Sequence, residues 1–119
     1  MATLTVQAID LTTGLAPTFA TAAAGGDEYA NEGRTYLHVK NGGGAPITVT
    51  VTPTASVTDD PQFGRIVPAA RAFTVTNGAE RILPFFAPGG YNNANGRVAV
   101  TYSAVTSVTV AAIQTSLPQ

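Results

Sequence analysis

Few residues of this chain have the type and spacing that chemistry requires. Histidine occurs once, at His38, which excludes a multi-histidine metal site and leaves one imidazole for proton transfer near neutral pH. A Ser-His-Asp site would have to recruit His38 from a strand face, and no nucleophile-elbow sequence accompanies it. His38 therefore reads as a partly exposed strand residue between Tyr36 and Lys40. Asp59-Asp60 offers adjacent carboxylates, but neighbours on a strand point apart, and Asp59-Asp60-Pro61 reads as a turn whose side chains bond local backbone. Asp27, Glu28, Asn31 and Glu32 gather oxygen donors without the spacing or glycine of an EF-hand loop. Gly42-Gly43-Gly44 precedes neither a helix start nor Lys-Ser/Thr, so no phosphate-binding loop follows. Tyr91 with Asn92, Asn93 and Asn95 has the amides of a sugar-binding loop, but the chain contains no tryptophan to stack on a sugar. The absence of cysteine removes disulfide, zinc-thiolate and Cys-nucleophile chemistry. No catalytic, cofactor-binding or metal-binding residue is assigned, and no enzyme is expected.

What remains is binding or building. Six Lys plus Arg oppose seven Asp plus Glu in 119 residues, scattered singly, so no basic stripe exists to neutralise nucleic-acid phosphates. No apolar run approaches the roughly 20 residues of a membrane span, and the start Met1-Ala2-Thr3-Leu4-Thr5-Val6 lacks the basic and apolar regions of a secretory signal. The expectation is one soluble domain over 1–119, without nucleic-acid or membrane partner and with no cofactor. Only 11% of residues are charged, against about a quarter in ordinary soluble domains. The surface must then be Thr, Ser, Ala, Asn and Gly, which offers little repulsion between copies and suits a protein packed against neighbours.

The elements that must position such a surface are strands. β-Branched Val and Thr recur with a two-residue period over 4–9, 35–41, 47–53, 72–76, 81–85, 97–103 and 107–114. Ile47, Val49 and Val51 share a core face; Leu37 and Val39 oppose Tyr36, His38 and Lys40; Val98, Val100 and Tyr102 oppose Thr101 and Ser103. Asn77-Gly78 predicts a type I′ hairpin, which sets Phe73 opposite Ile82. Gly42-Gly43-Gly44-Ala45 predicts a second hairpin. Between the last two strands, 104–106 makes either a tight reversal, a bulge or a bend between sheets. Seven to eight short strands predict an all-β, antiparallel two-sheet sandwich, immunoglobulin-like or jelly-roll-like.

Residues 12–33 lack periodicity and read as a long irregular loop or arm. Residues 85–96, rich in Pro, Gly and Asn, read as a structured loop packed on the sandwich or on a partner. Aromatics in loop-like stretches, Phe19, Tyr29, Phe63, Phe85, Phe86 and Tyr91, are the interface candidates, since core packing does not obviously claim them. Arg34 joins them because arginine outnumbers lysine five to one and favours interfaces through its planar, multiply donating head.

The stretch from Gly26 to Asn41, the segment Leu83-Pro84-Phe85-Phe86 and the ending from Asn92 to Tyr102 together resemble small structural proteins of tailed bacteriophages, the head decoration or cement proteins. The resemblance implies a β-sandwich that binds the major capsid protein on the outside of the expanded shell and resists internal DNA pressure. It implies a homo-oligomer, a trimer favoured over a dimer, made in the host bacterial cytoplasm and ending on the virion exterior. Residues 12–33 would then be an arm that reaches a neighbouring subunit and orders only on assembly. The alternatives are a head-tail or tail structural component and a carbohydrate-binding or adhesion module.

Overall fold

The computed structural model describes residues 2–54, 58–60, 64–66, 70–86 and 88–115. In chain order these form β1 (Ala2–Thr3), β2 (Val6–Ala8), β3 (Ala20–Thr21), β4 (Asp27–Ala30), β5 (Thr35–Asn41), β6 (Ile47–Val51), β7 (Thr58–Asp60), β8 (Gly64–Ile66), β9 (Arg71–Val75), β10 (Glu80–Ile82), the single helical turn α1 (Pro88–Tyr91), β11 (Arg97–Tyr102) and β12 (Val108–Gln114). A first sheet runs β1-β4-β11-β6-β9 and a second runs β10-β5-β12-β2, while β7 and β8 form a small sheet of their own. Among the described residues no helix is long and apolar enough to cross a membrane.

The alternation in the sequence builds the core. Buried and half-buried residues alternate along β5 and β6, as period-two strands with one apolar face require. Leu37 and Val39 from β5 and Val108, Val110 and Ala112 from β12 meet Val49 and Val51 from β6 and Val98 and Val100 from β11 in one cluster. The arrangement is sandwich-like and nearly all-β, as expected, but the sheets are mixed. β1 runs parallel to β4 and β2 parallel to β12, so the purely antiparallel expectation fails at the N-terminal strands. β5 pairs the whole of β12. The other edge of β12 is therefore shared, with β3 at Thr109 and Val110 and β2 from Ala112 to Gln114.

Neither expected hairpin is one. The Asn77-Gly78 turn forms, with Gly78 at φ 76° and Ala79 N–H donating to the Thr76 carbonyl at 3.0 Å. The strands it joins nevertheless part: Phe73 lies opposite Val49 in the first sheet and Ile82 opposite His38 in the second. The glycine run 42–44 likewise carries the chain from β5 in the second sheet to β6 in the first. Of the three options at 104–106, the bend between sheets is the one adopted, with Ser107 at φ 59°.

Buried Asn41 and the glycine after it hold the three crossings together. Asn41 donates its side-chain amide to the carbonyls of Ala45 (2.9 Å) and Val75 (3.0 Å) and accepts from Gly43 N–H through Oδ1 (3.0 Å). Its own N–H donates to the Ala79 carbonyl and its carbonyl accepts from Gly78 N–H. Next to it, Gly42 N–H donates to the Ser107 carbonyl at 2.9 Å. A Cβ at Gly43 would stand 3.0 Å from the Thr106 carbonyl oxygen, so any larger residue there would push these crossings apart by a few tenths of an ångström. A tight turn reverses the chain; which sheet receives the next strand is decided by these bonds and by burial of its apolar side.

Two further expectations are corrected. Residues 12–33 hold β3 and β4, and β4 lies inside the first sheet between β1 and β11; polar Asp27 and Glu28 hide that strand from a hydrophobic pattern. Asp59 and Asp60, expected within a turn, pair in β7, with Asp59 opposite Arg65 and Asp60 opposite Gly64, and Pro61 lies outside the described residues.

Candidate interaction surface

The interface candidates separate by burial. Tyr29, Phe86 and Tyr91 are buried in the core and are thereby corrected: Tyr29 lies on the inner face of β4, and Phe86 packs against Tyr91 at 5.1 Å and edge-on to Phe73 at 6.3 Å. The loop carrying the last two folds back because buried Asn31 holds it. The Asn31 amide donates to the Phe86 carbonyl (2.9 Å) and to Asn92 Oδ1 (2.8 Å), and Asn92 returns a bond to the Asn31 carbonyl (2.8 Å). Asn93 donates to Glu28 Oε2 at 3.0 Å. The side-chain amides of Asn92 and Asn93 in the loop weighed for sugar binding are therefore spent on its own scaffold, while Asn95 is exposed. Phe63 lies outside the described residues.

The oxygen-rich group 27–32 does not converge. Glu28 receives Arg97 at 3.1 Å, Glu32 pairs with Arg34 at 3.7 Å, and Asp27 turns into the core, where its Oδ2 accepts from the Tyr102 hydroxyl at 2.7 Å. Burial first, and the Asp27 hydrogen bond and charge second, push the Tyr102 phenol pKa well above its usual value. Burial alone raises that of Tyr29. Asp27 Oδ1 and the Tyr29 hydroxyl are buried without a partner among the described residues.

Arg34 stands at the end of the second sheet next to Glu32 and Gln114, while Phe19 and Phe85, far apart in sequence, both lie on the outer face of that sheet, beside His38 and Tyr36. β5 presents Tyr36, His38 and Lys40 there, half-buried. Residues 9–19 cross this face as a strap. Its turn is set by Asp10, whose Oδ1 accepts from the N–H groups of Thr12 (2.7 Å) and Thr13 (3.0 Å); these bonds, Thr13 foremost, hold the Asp10 carboxyl below its ordinary pKa. Gln7 clasps the returning strand of the strap by donating to the Thr18 carbonyl and accepting from Thr18 N–H, both at 2.8 Å. Phe19 then lies edge-on to His38 at 5.0 Å with the Lys40 ammonium 4.0 Å above its ring, a cation–π contact. The strap buries Ala111 and Ile113 on the outer side of β12. The segment expected to reach a neighbour is thus docked on its own sheet.

Between the strap and the segment after β10 an apolar groove stays open. Hollows of about 360 Å³ beside Leu15, Pro17 and Ile113 and about 280 Å³ beside Pro84 and Phe85 share Tyr36 and Ile82. Ile82 is 58% and Phe85 50% exposed. Tyr36 packs on Phe85 at 5.9 Å. Polar groups nearby bond within the chain: His38 Nε2 lies 3.0 Å from Glu80 Oε1, Glu32 faces Arg34, and Gln114, with its amide oxygen turned toward Arg34, accepts from Nε at 3.0 Å. Ile82, expected opposite Phe73, is a groove residue that the interface candidates did not include. Ile82 and Leu83 are adjacent and both apolar, so the alternation has two phases; the bond from Leu83 N–H to the Leu37 carbonyl seats Leu83 in the core and turns Ile82 out.

No protein-family model matches this chain, and no curated protein or solved structure matches it.

Proposed function

We propose that this protein is a structural virion component, a decoration or cement protein that binds the outside of a phage capsid and stabilises the expanded shell. The observation that carries the reading is the groove at Ile82 and Phe85: exposed aliphatic and aromatic side chains on the second sheet, with Glu80 hydrogen-bonded to His38 and Glu32 paired with Arg34 nearby. Such a patch contributes by excluding water from apolar contact and exerts little long-range pull on charged ligands. A charge-poor surface fits a protein crowded against copies of itself and of a shell. Three half-exposed side chains, Leu11, Ile82 and Phe85, present on the order of 300 Å², well short of the about 800 Å² per partner in stable complexes. Strength would come from many copies on one lattice.

The jelly-roll-like, capsid-facing sandwich and its place on the virion exterior belong to this proposal, with the major capsid protein as partner. Cosedimentation of purified protein with expanded and unexpanded capsids of the encoding phage tests it. Binding to expanded shells, lost in an Ile82→Asp, Phe85→Asp double variant that keeps its circular dichroism, is the expected result. Failure of the wild-type protein to bind either shell overturns it, and labelling confined to the neck or tail in electron micrographs assigns the head-tail alternative instead.

A further inference from the structure

The free edges of the two sheets are not alike. A sheet edge exposes main-chain N–H and C=O groups that template pairing with another chain unless charge, proline or brevity prevents it. On the second sheet, Asn41 N–H to the Ala79 carbonyl and Leu83 N–H to the Leu37 carbonyl fix the phase of β10. Ala79, Arg81 and Leu83 face β5, and Glu80 and Ile82 turn their backbone outward. Self-pairing of this edge would oppose Glu80 to Glu80, or Arg81 to Arg81, or seat Pro84 where a donor is needed. The edge is guarded. On β12 the second edge is occupied by β2 and β3, and β1 at the far side of the first sheet is only two residues long.

Among the described residues β9 has no such protection. It is five residues long with Arg71 its one charge and no proline. Its phase follows from the other side of β6. The bond from Ser103 N–H to the Thr48 carbonyl at 2.9 Å aims Thr48 and Thr50 at β11, so Ile47, Val49 and Val51 bond to β9 through Val75, Phe73 and Arg71. Ala72 and Thr74 are left with N–H and C=O directed away from the sheet, and both are exposed. A shallow hollow of about 420 Å³ along Ala70, Arg71, Ala72 and Phe73 leaves room beside the strand.

We propose that β9 pairs with β9 of a second copy of this chain, antiparallel about a two-fold axis at Phe73, so that the first sheet continues from one copy into the other. The strand is its own complement in this register. Ala72 and Thr74 of each copy exchange both main-chain hydrogen bonds with Thr74 and Ala72 of the other, Arg71 meets Val75, and no like charges oppose. Phe73, already edge-on to Phe86, faces its counterpart in the close, non-hydrogen-bonded pair. Because the β10 edge is guarded, the assembly closes as a dimer and does not grow, in keeping with an isologous contact. The pairing stands independently of the capsid reading.

Thr74→Pro tests it with little damage to the fold, because the N–H it removes makes no bond to β6 and proline is tolerated on the free side of an edge strand. Light scattering across a dilution series should give double the chain mass for the wild type and the single chain mass for Thr74→Pro, with circular dichroism unchanged. A wild type that is monomeric throughout, or a folded Thr74→Pro that stays dimeric, overturns the proposal. Hydrogen exchange of the wild-type protein gives a second readout that holds even where the variant fails to fold. The Ala72 and Thr74 amides must become protected as concentration rises, and fast exchange at concentrations where the mass is doubled also overturns it.

Discussion

The Asn41 side-chain amide, on the last residue of a strand in the second sheet, donates at 3.0 Å to the carbonyl of Val75, the last residue of a strand in the first. This bond and those around it tie one end of the sandwich shut. Asn41→Asp keeps the shape but sets a carboxylate oxygen against the Ala45 and Val75 carbonyls. A loss of about 3 kcal/mol in urea unfolding is expected, since donors vanish and a charge is buried unpaired. Asn41→Ala should lose about 2 kcal/mol through the same unsatisfied carbonyls.

That aspartate is also what deamidation would produce. Asn-Gly steps occur at Asn41-Gly42, Asn77-Gly78 and Asn95-Gly96, and ring closure requires the glycine nitrogen to attack the side-chain carbonyl. All three nitrogens are engaged, Gly42 by the Ser107 carbonyl, Gly78 by that of Asn41 and Gly96 by that of Asn93. Peptide mapping of aged folded protein should find these asparagines intact, and the same protein held in urea should deamidate at all three.

Tyr102 and Tyr29 should answer hydroxyl removal with opposite signs. Tyr102→Phe strips Asp27 of its 2.7 Å donor and should cost about 1–3 kcal/mol. Tyr29→Phe deletes a buried hydroxyl without a partner among the described residues and should be neutral or stabilising. Chemical denaturation of both variants checks the pair.

The same phenols set the alkaline limit. Both have pKa values raised in the folded state above the 10.0 of an exposed phenol. Their contribution to stability is complete below that value and falls as pH rises past it, because the unfolded chain ionises first. Stability by denaturant titration should decline above about pH 10, and Tyr29→Phe should soften the decline.

The strands around the core were readable because Leu37, Val39, Val49, Val51, Val98 and Val100 alternate cleanly with polar neighbours. Connectivity was not, since Asn77-Gly78 encodes a reversal but not which sheet receives β10; that choice lies in the Asn41 bonds, made across long sequence separations. Tyr29, Phe86 and Tyr91 looked available for an interface because nothing local marks them as core. Tyr29 is buried by the inward face of β4, whose polar neighbours hide it, and the burial of Phe86 and Tyr91 goes with the bonds from Asn31 to distant Phe86 and Asn92. Phe85, beside them in sequence, stays outside, and Phe19 finds its place only because Gln7 clasps Thr18.

The central claim is that the face bearing Ile82 and Phe85 is the one applied to a shell. Electron cryomicroscopy of mature virions tests it most directly. The account predicts density for this protein on the capsid exterior, with the outer face of the second sheet turned down and Ile82 and Phe85 covered by capsid protein. Bare shells, or bound copies with that face turned to solvent, would contradict it.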